Sequence, residues 1–280
     1  MLNQVITKFI CPKTPLFQDE VAGSQRAGVN HIFMTACISR LSETRDNINV
    51  LEVGSWVGSS ALTWAEAIAT FSNASGLVFC VDLWEPYFSR SDIQNGASVY
   101  PTMDEISKSG ISYELFQHNI KFSKTPILHA KGQSSQILPL LAKEAFDLAY
   151  IDASHYYEDV KRDIEHADSL LKIGRIICGD DLDVQAANCD MKFAAANLDR
   201  DYITDEKLNI SFHPGVTMAV SEFFGNVSQY GYFWAMQKTE RGYSPMDLNG
   251  SKTFLPSHFN RSAKSDLYKE AERILRTVSG

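Results

Sequence analysis

The run Asn49-Val-Leu-Glu-Val-Gly-Ser-Trp-Val-Gly-Ser-Ser60 constrains the fold more than any other part of the chain. Its apolar residues predict a strand that is covered on both faces. Gly54 and Gly58 then permit positive φ and let a ligand approach the backbone without an intervening Cβ. Ser59 and Ser60 begin a predicted helix. A strand, a glycine turn and a helix in this order predict a nucleotide-type ligand loop.

The glycine spacing argues against a pyrophosphate ligand. Dinucleotide folds typically carry G-x-G-x-x-G, and Trp56 occupies the position of the middle glycine. Glu52 lies two residues before Gly54, where its charge repels an anion and suits a cation. A nicotinamide-dependent oxidoreductase on a similar sheet is therefore the alternative rather than the leading interpretation.

The pattern Glu-x-Gly-x-x-x-Gly after the first strand resembles the S-adenosylmethionine loop of class I methyltransferases. In that family the acidic residue faces the methionine end of the cofactor. The resemblance implies cofactor contacts from five residues of the loop, namely Glu52, Gly54, Ser55, Gly58 and Ser60. The alternative interpretation of this loop is a structural turn, without a ligand, in some other α/β protein.

Three further segments supply predicted cofactor contacts. Asp82 ends the strand-like run that begins at Leu77, where a carboxylate can accept hydrogen bonds from both ribose hydroxyls, and Leu83 follows it. Asp82 could also simply cap the next turn. Gln133 and Ser134 follow the third strand, where the resemblance places the adenine, although Ser134 could equally be only a helix N-cap.

Acidic residues follow two later predicted strands. Asp152 and His155 come after one strand, and Asp180 and Asp181 come after the next. Ligands of open α/β sheets bind beyond the carboxyl ends of strands, so these four side chains can converge. Three crowded carboxylates repel one another unless a cation neutralises them, and Mg²⁺ prefers oxygen ligands. Strand-end caps are the alternative for each residue taken singly.

This second pattern resembles the metal-dependent sugar and macrolide-tailoring O-methyltransferases. The resemblance implies that Asp152, Asp180 and Asp181 bind Mg²⁺ and that His155 is the general base, with Asp183 able to replace one member of the acidic pair. Asp152 is also expected at the catalytic centre and beside the cofactor. The implied acceptor is a hydroxyl of a small molecule such as a sugar, a glycoside or a polyketide-like metabolite. A non-catalytic ligand-binding protein of the same fold is a further alternative.

The alternation of strand-like and helical segments predicts an α/β protein with a doubly wound, mainly parallel sheet. The family resemblance implies seven strands in a Rossmann-like methyltransferase fold. We expect a methyltransferase domain at 49–238, with a substrate-side insertion at 84–125. The remaining segments are an N-terminal helical extension or lid at 1–48 and a C-terminal extension at 239–280.

The 280-residue chain has a net charge of −8 and no basic run, which argues against nucleic acid as a partner. No segment is long and apolar enough to span a bilayer, so we expect a cytoplasmic protein that does not bind membranes. The five cysteines are scattered and predict neither a disulfide framework nor a zinc site. The N-terminal helix could contact a second copy in a homo-oligomer. The charged run between Glu158 and Glu165 predicts a solvated helix face.

Overall fold

The computed structural model describes residues 13–17, 28–259 and 264–278. The part of the predicted first helix before Gly28 lies outside the described residues. Ten strands are present in this part of the chain, and they are β1 (Ile48–Val53), β2 (Gly76–Asp82), β3 (Ile127–Lys131), β4 (Phe146–Ile151), β5 (Leu171–Gly179), β6 (Ile203–Asp205), β7 (Ile210–Phe212), β8 (Ser228–Tyr230), β9 (Phe233–Thr239) and β10 (Gly242–Pro245).

The main sheet follows the order β10-β9-β5-β4-β1-β2-β3, and the short β8 pairs with β9 outside this path. Strands β1 to β5 are mutually parallel, whereas β9 is antiparallel to β5. The predicted α/β class and mainly parallel seven-stranded sheet are therefore confirmed, with β8 as an addition. Strands β6 and β7 form a separate small hairpin.

The helices cover both faces of the sheet. In chain order they are α1 (Gly28–Ser42), α2 (Ser59–Phe71), α3 (Arg90–Asn95), α4 (Tyr100–Lys108), α5 (Ile111–Asn119), α6 (Ser134–Ile137), α7 (Tyr157–Leu170), α8 (Met191–Ala195), α9 (Pro214–Phe224) and α10 (Lys264–Val278). One face packs against α1 and α2, with Phe33 and Trp64 in the core, and α10 packs on α1. The other face packs against α7 and α9, with Ile164 and Val216 in the core.

The helix that begins at Ser134 is short. Helix α6 ends at Ile137 and a 3₁₀ turn follows at Leu138–Leu140. Pro139 lies in this turn, and because proline lacks a backbone N–H and clashes with the preceding turn, it ends the α-helix.

The two extensions pack on the same face of the domain. Helix α1 is buried along almost its whole length, and Thr35 donates a hydrogen bond to the backbone carbonyl of Phe254 in the C-terminal segment. A lid or subunit contact formed by the N-terminal extension at 1–48 stays a prediction. No helix in the described ranges combines the length and the apolar character needed to cross a membrane.

Candidate active site

A cavity of about 910 Å³ opens at the carboxyl ends of the parallel strands. It is bordered by the loop after β1, the end of β2, the segment after β3 and the ends of β4 and β5. Ten residues predicted from the sequence line it, namely Gly54, Asp82, Leu83, Gln133, Ser134, Asp152, His155, Asp180, Asp181 and Asp183. The topology thus brings together the predicted cofactor residues and the predicted chemical residues.

Glu52 lies beneath the loop rather than in the cavity. Its side chain is fully buried, and its Oε2 accepts hydrogen bonds from Ser55 Oγ at 2.7 Å and Cys80 Sγ at 3.1 Å. Burial raises the pKa of Glu52 to about 7, although hydrogen bonds from Ser60 and Ser55 oppose the shift. Three residues that were predicted to contact a cofactor do not line the cavity, namely Glu52, Ser55 and Ser60. The two serine side chains form hydrogen bonds with Glu52 below the loop instead.

Gly58 also lies outside the cavity lining, at the N-terminus of α2. Its φ is +86°, and an added Cβ would lie 3.1 Å from the ring of Phe116. Gly58 therefore shapes the entry into the helix rather than touching the space where a ligand would lie.

Asp82 organises the glycine loop. Its Oδ2 accepts hydrogen bonds from the backbone N–H groups of Ser55 at 2.7 Å and Trp56 at 2.8 Å, and its Oδ1 accepts from the N–H of Trp84 at 2.6 Å. A carboxylate offers about four lone-pair sites, and three are used here. Asp82 can therefore accept one further hydrogen bond in this arrangement, whereas the sequence predicted bonds from two ribose hydroxyls.

The far end of the cavity contains a carboxyl group that the sequence analysis assigned to a solvated face. Asp163 on α7 is 2% exposed, lines the cavity and accepts a hydrogen bond from Ser134. Burial raises its pKa to about 7, and its Oδ1 has no hydrogen-bond partner in the described structure. The prediction of a solvated face is wrong for this residue, because Asp163 continues the buried stripe of Val160, Ile164 and Ala167.

The ends of β4 and β5 carry two carboxyl groups whose ionisation is unfavourable. Burial, together with the nearby Asp180 and Asp181, raises the pKa of Asp152 well above its usual range, and Tyr150 donates a hydrogen bond to Asp152 Oδ2 at 2.9 Å. Burial and Asp181 raise the pKa of Asp180 to about 7. Asn30 of α1 donates a hydrogen bond to Asp180 Oδ1 at 2.6 Å.

His155 lies between two carboxylates. Its Nε2 is 3.0 Å from Asp181 Oδ2, and its Nδ1 is 3.2 Å from Asp201 Oδ1. Burial opposes protonation of the imidazole, but the charges of Asp201 and Asp181 outweigh it and raise the pKa of His155 well above its usual value. Burial likewise opposes ionisation of Asp181, yet His155 and His213 hold the pKa of Asp181 below its usual range.

The histidine that begins α9 completes this polar cluster. His213 Nδ1 lies 2.7 Å from Asp183 Oδ2, and the rings of His213 and His155 pack edge to face with centroids 4.5 Å apart. A metal ion needs several ligand atoms that lie close together. In the described part of the chain, one group of three side chains brings its ligand atoms within 4.8 Å of one another, and it consists of His155, Asp181 and His213. The three carboxylates predicted as metal ligands surround the same space but do not form such a group.

Aromatic side chains from the insertion cover the chemical end of the cavity. Phe88 stacks on Tyr100 with ring centroids 4.2 Å apart, and Tyr87 packs on Phe88 at the same distance. Tyr202 and Tyr232 line the cavity as well. Among the described lining residues, Arg162 is the only Lys or Arg, and it forms an ion pair with Asp159.

Three residues that border this cavity have a left-handed backbone although they carry a Cβ. Trp56, Trp84 and Asp181 have φ of 46°, 47° and 58°, a region that residues with a Cβ seldom occupy. All three line the cavity. Such strain persists only where the surroundings hold it in place, and it is frequent at functional sites.

A family model described as a methyltransferase domain matches residues 51–182, from the glycine loop to the end of β5 and its acidic pair. No curated protein matches the sequence. The solved structure of the O-methyltransferase NovP is similar to this chain with a TM-score of 0.52, at 11% identity over 76% of this chain and 80% of NovP. That similarity supports the fold.

Two further solved structures match with lower TM-scores. The O-methyltransferase TomG from Streptomyces achromogenes, solved in complex with SAM, is 16% identical over 84% of this chain and 96% of TomG, with a TM-score of 0.38. CalS11, a TDP-rhamnose 3'-O-methyltransferase, is 18% identical over 71% of this chain and 72% of CalS11, with a TM-score of 0.39.

Proposed function

We propose that this chain, whose residues 51–182 match a methyltransferase-domain model, is a class I, S-adenosylmethionine-dependent O-methyltransferase that acts on a hydroxyl group of a small molecule. The observation that carries this proposal is the position of His155. Its Nε2 lies with Asp181 at the end of the cavity that the aromatic insertion covers, while the glycine loop and Asp82 border the same cavity. The proposed base and the proposed cofactor loop thus border the same cavity.

The cofactor would lie between the glycine loop and the segment after β3. Gly54 leaves the backbone open, Asp82 has one acceptor site for a ribose hydroxyl, and Leu83 provides an apolar wall. Gln133 and Ser134 would bind the adenine together with the neighbouring Asp163, which has a free acceptor atom.

The donor chemistry of Asp152, Asp180 and Asp181 fits a hard divalent cation such as Mg²⁺. All three offer carboxylate oxygens, and a cation would offset both the burial and the mutual repulsion that raise the pKa of Asp152 and Asp180. S-adenosylmethionine would supply the methyl group, and the cation would stabilise negative charge on the acceptor oxygen. A cation bound to Asp181 would offset part of the charge that raises the pKa of His155, so that His155 Nε2 would take the proton from the acceptor hydroxyl. The aromatic cover would exclude water.

The lining also favours a class of acceptor. Tyr87, Phe88 and Tyr232 offer ring faces and edges suited to a sugar ring or a polyketide-like surface. Arg162 is already paired with Asp159, so the described lining provides no free cation for a diphosphate group. We therefore expect an uncharged or amine-bearing glycoside rather than a nucleotide-activated sugar.

Calorimetric titration tests the cofactor first. The purified protein, stripped of cofactor, should bind S-adenosylmethionine and S-adenosylhomocysteine, and Mg²⁺ should stimulate subsequent methyl transfer to glycoside acceptors. Binding of NADH in their place would instead support an oxidoreductase.

Substitutions at the acidic pair test the metal. The double variant Asp180→Asn, Asp181→Asn should lose Mg²⁺-stimulated turnover and keep cofactor binding, whereas Asp247→Asn at an exposed position should behave as the wild type. Full activity of the double variant would remove the metal from the proposal. Loss of methyl transfer in His155→Ala with an unchanged Tm would reject a purely ligand-binding role.

A further inference from the structure

One side chain of the N-terminal helix reaches the acidic end of β5. Asn30 of α1 is 1% exposed, and its Nδ2 donates a hydrogen bond to Asp180 Oδ1 at 2.6 Å across 150 positions of the chain. An ionised carboxylate accepts hydrogen bonds and donates none, so the amide presents its nitrogen to Asp180. The amide oxygen has no hydrogen-bond partner in the described structure. The bond to Asp180 alone therefore compensates for the burial of this amide.

The side chain of Asp180 is held through one of its two oxygens. Oδ1 accepts the hydrogen bond from Asn30 and a second one from the backbone N–H of Asp181 at 2.8 Å. Among the described residues, no hydrogen bond reaches Oδ2. Asp180 lines the cavity, so Oδ2 is the oxygen that is available to a ligand there.

The backbone of the acidic turn is fixed by other contacts. The N–H of Leu182 donates to the carbonyl of Tyr232 at 3.1 Å, and Gln229 Nε2 donates to the carbonyl of Leu182 at 2.6 Å. Gln229 lies in β8 and Tyr232 in the turn between β8 and β9, so neither contact involves α1. Loss of the Asn30 amide would therefore leave the turn in place and free the Asp180 carboxylate to rotate.

Helix α1 is itself anchored independently of the site. Thr35 Oγ1 accepts a hydrogen bond from the N–H of Phe254 at 3.2 Å, and Ser39 Oγ accepts one from the N–H of Lys252 at 3.2 Å. Asn30 does not belong to the described lining of the cavity. It can therefore act on a ligand in the cavity only through Asp180.

We infer that Asn30 is a positioning residue for the metal site, which anchors Asp180 Oδ1 so that Oδ2 is presented to a divalent cation. The inference rests on the proposed function, because it assigns a role to Asn30 through a proposed Mg²⁺ ligand. A cation binds more tightly when its ligands are already oriented, and residues that hydrogen-bond to metal ligands typically change metal affinity by roughly 10-fold to 100-fold. The N-terminal extension thus contributes a residue to the active site.

Titration with Mn²⁺, followed by electron paramagnetic resonance, measures metal binding without turnover. Asn30→Leu keeps a side chain of similar size and removes the donor, so we expect the Kd for Mn²⁺ to rise by roughly 10-fold to 100-fold. Calorimetry should give a wild-type affinity for S-adenosylhomocysteine, because Asn30 does not line the cavity. The Mg²⁺ concentration that half-saturates turnover should rise by a similar factor, and excess Mg²⁺ should restore kcat.

Thr35→Val is the matched control on the same helix. It replaces a buried hydroxyl by a methyl group of the same size and removes the hydrogen bonds to Phe254 without touching Asp180. We expect a lower Tm and an unchanged affinity for Mn²⁺. Equal losses of Mn²⁺ affinity in Thr35→Val and Asn30→Leu would show that Asn30 only stabilises α1 and would overturn the inference. Asn30→Ala, which removes the donor without a new side chain, should give the same change in Kd as Asn30→Leu.

The outcomes also distinguish the two proposals. If Mn²⁺ binding weakens selectively in Asn30→Leu while the wild type transfers no methyl group, the proposed function fails and the role of Asn30 stands. If the wild type is active and binds Mn²⁺, and Asn30→Leu binds it equally well, the inference fails and the function stands. A wild type that binds no Mn²⁺ would overturn both the inference and the metal in the proposed function.

Discussion

Gly54 lies so close to the backbone of Asp152 that a Cβ added at Gly54 would be 1.9 Å from the Asp152 carbonyl oxygen. The N–H of Asp152 donates to the carbonyl of Val53 at 2.8 Å, so the end of β1 and the end of β4 meet backbone to backbone. The contact places the cofactor loop directly beside the first acidic residue of the chemical site. Any displacement of one of these segments therefore moves the other.

Substitution of Gly54 by alanine should be severely destabilising. The φ of Gly54 is +90°, and the added methyl group would meet backbone atoms that cannot move aside. Gly174 is the matched control, because its φ is +80° and nothing lies within 4 Å of an added Cβ. In urea unfolding we expect Gly174→Ala to cost roughly 1–2 kcal/mol and Gly54→Ala at least about 4 kcal/mol or the fold itself. Similar costs at both positions would contradict the importance of this contact.

Asp82→Asn should weaken the loop and the cofactor affinity together. An amide can present only one acceptor oxygen to the three N–H groups of Ser55, Trp56 and Trp84 that bond to the carboxylate. We expect a loss of roughly 2–4 kcal/mol in unfolding free energy and weaker binding of S-adenosylhomocysteine by calorimetry. Asp46→Asn at an exposed position is the control. An Asp82→Asn variant with wild-type stability would show that the loop is held by other contacts.

Glu52 should make the protein less stable as the pH rises. Its folded-state pKa is raised by burial from 4.5 to about 7, so its protonated form favours the folded state. This contribution is complete below pH 4.5 and is lost as the pH rises to about 7, a change of about 3 kcal/mol. As the pH rises across that range, the unfolding free energy of the wild type should therefore fall relative to that of Glu52→Gln. Glu158→Gln, at an exposed glutamate, is the control for the substitution itself, and its unfolding free energy should stay close to that of the wild type.

The buried pair of Asp147 and Arg175 should matter for stability. Arg175 Nε lies 2.6 Å from Asp147 Oδ1, and Asp147 Oδ2 accepts from the N–H of Asn49 at 3.0 Å. Asp147→Asn leaves a guanidinium charge with little exposure and no counter-charge, at a cost of roughly 3 kcal/mol in thermal or urea unfolding. Glu270→Gln removes one partner of the exposed pair with Arg273 and should leave the unfolding midpoint unchanged. Equal midpoints for the two variants would rule out this account.

The general architecture could be read from the chain because the strands β1, β2, β4 and β5 each contain a short apolar run near the carboxyl end of the strand. Such runs are typical of parallel strands buried on both faces, and their ends mark the edge where ligands bind. Asp82, Asp152 and Asp180 each follow directly after such a run, which is why the sequence placed them at one edge.

The site residues that the sequence did not predict lie on helices and loops rather than at strand ends. The sequence contains a signal for Asp163, because it lies in the apolar stripe of α7. Burial of a carboxylate there costs free energy, so its presence indicates a specific role. Asp201 gave no such signal, since its segment has no periodicity that fixes where it lies. Glu52 was expected in the cavity, yet the alternation of side chains along β1 turns it to the face that carries Cys80 and α2.

The sequence by itself determined the order of the strands and helices, the glycine loop and the acidic strand ends, because local hydrophobic patterns and glycine positions act over a few residues. Only the tertiary structure decided how these groups pair. It placed Asp201 against His155, Asp82 under the loop amides and the aromatic insertion over the acidic edge. The physical reason is that hydrogen bonds and ion pairs need distances of about 3 Å. Distances between residues far apart in the chain are set by how the layers pack, and no local pattern records them.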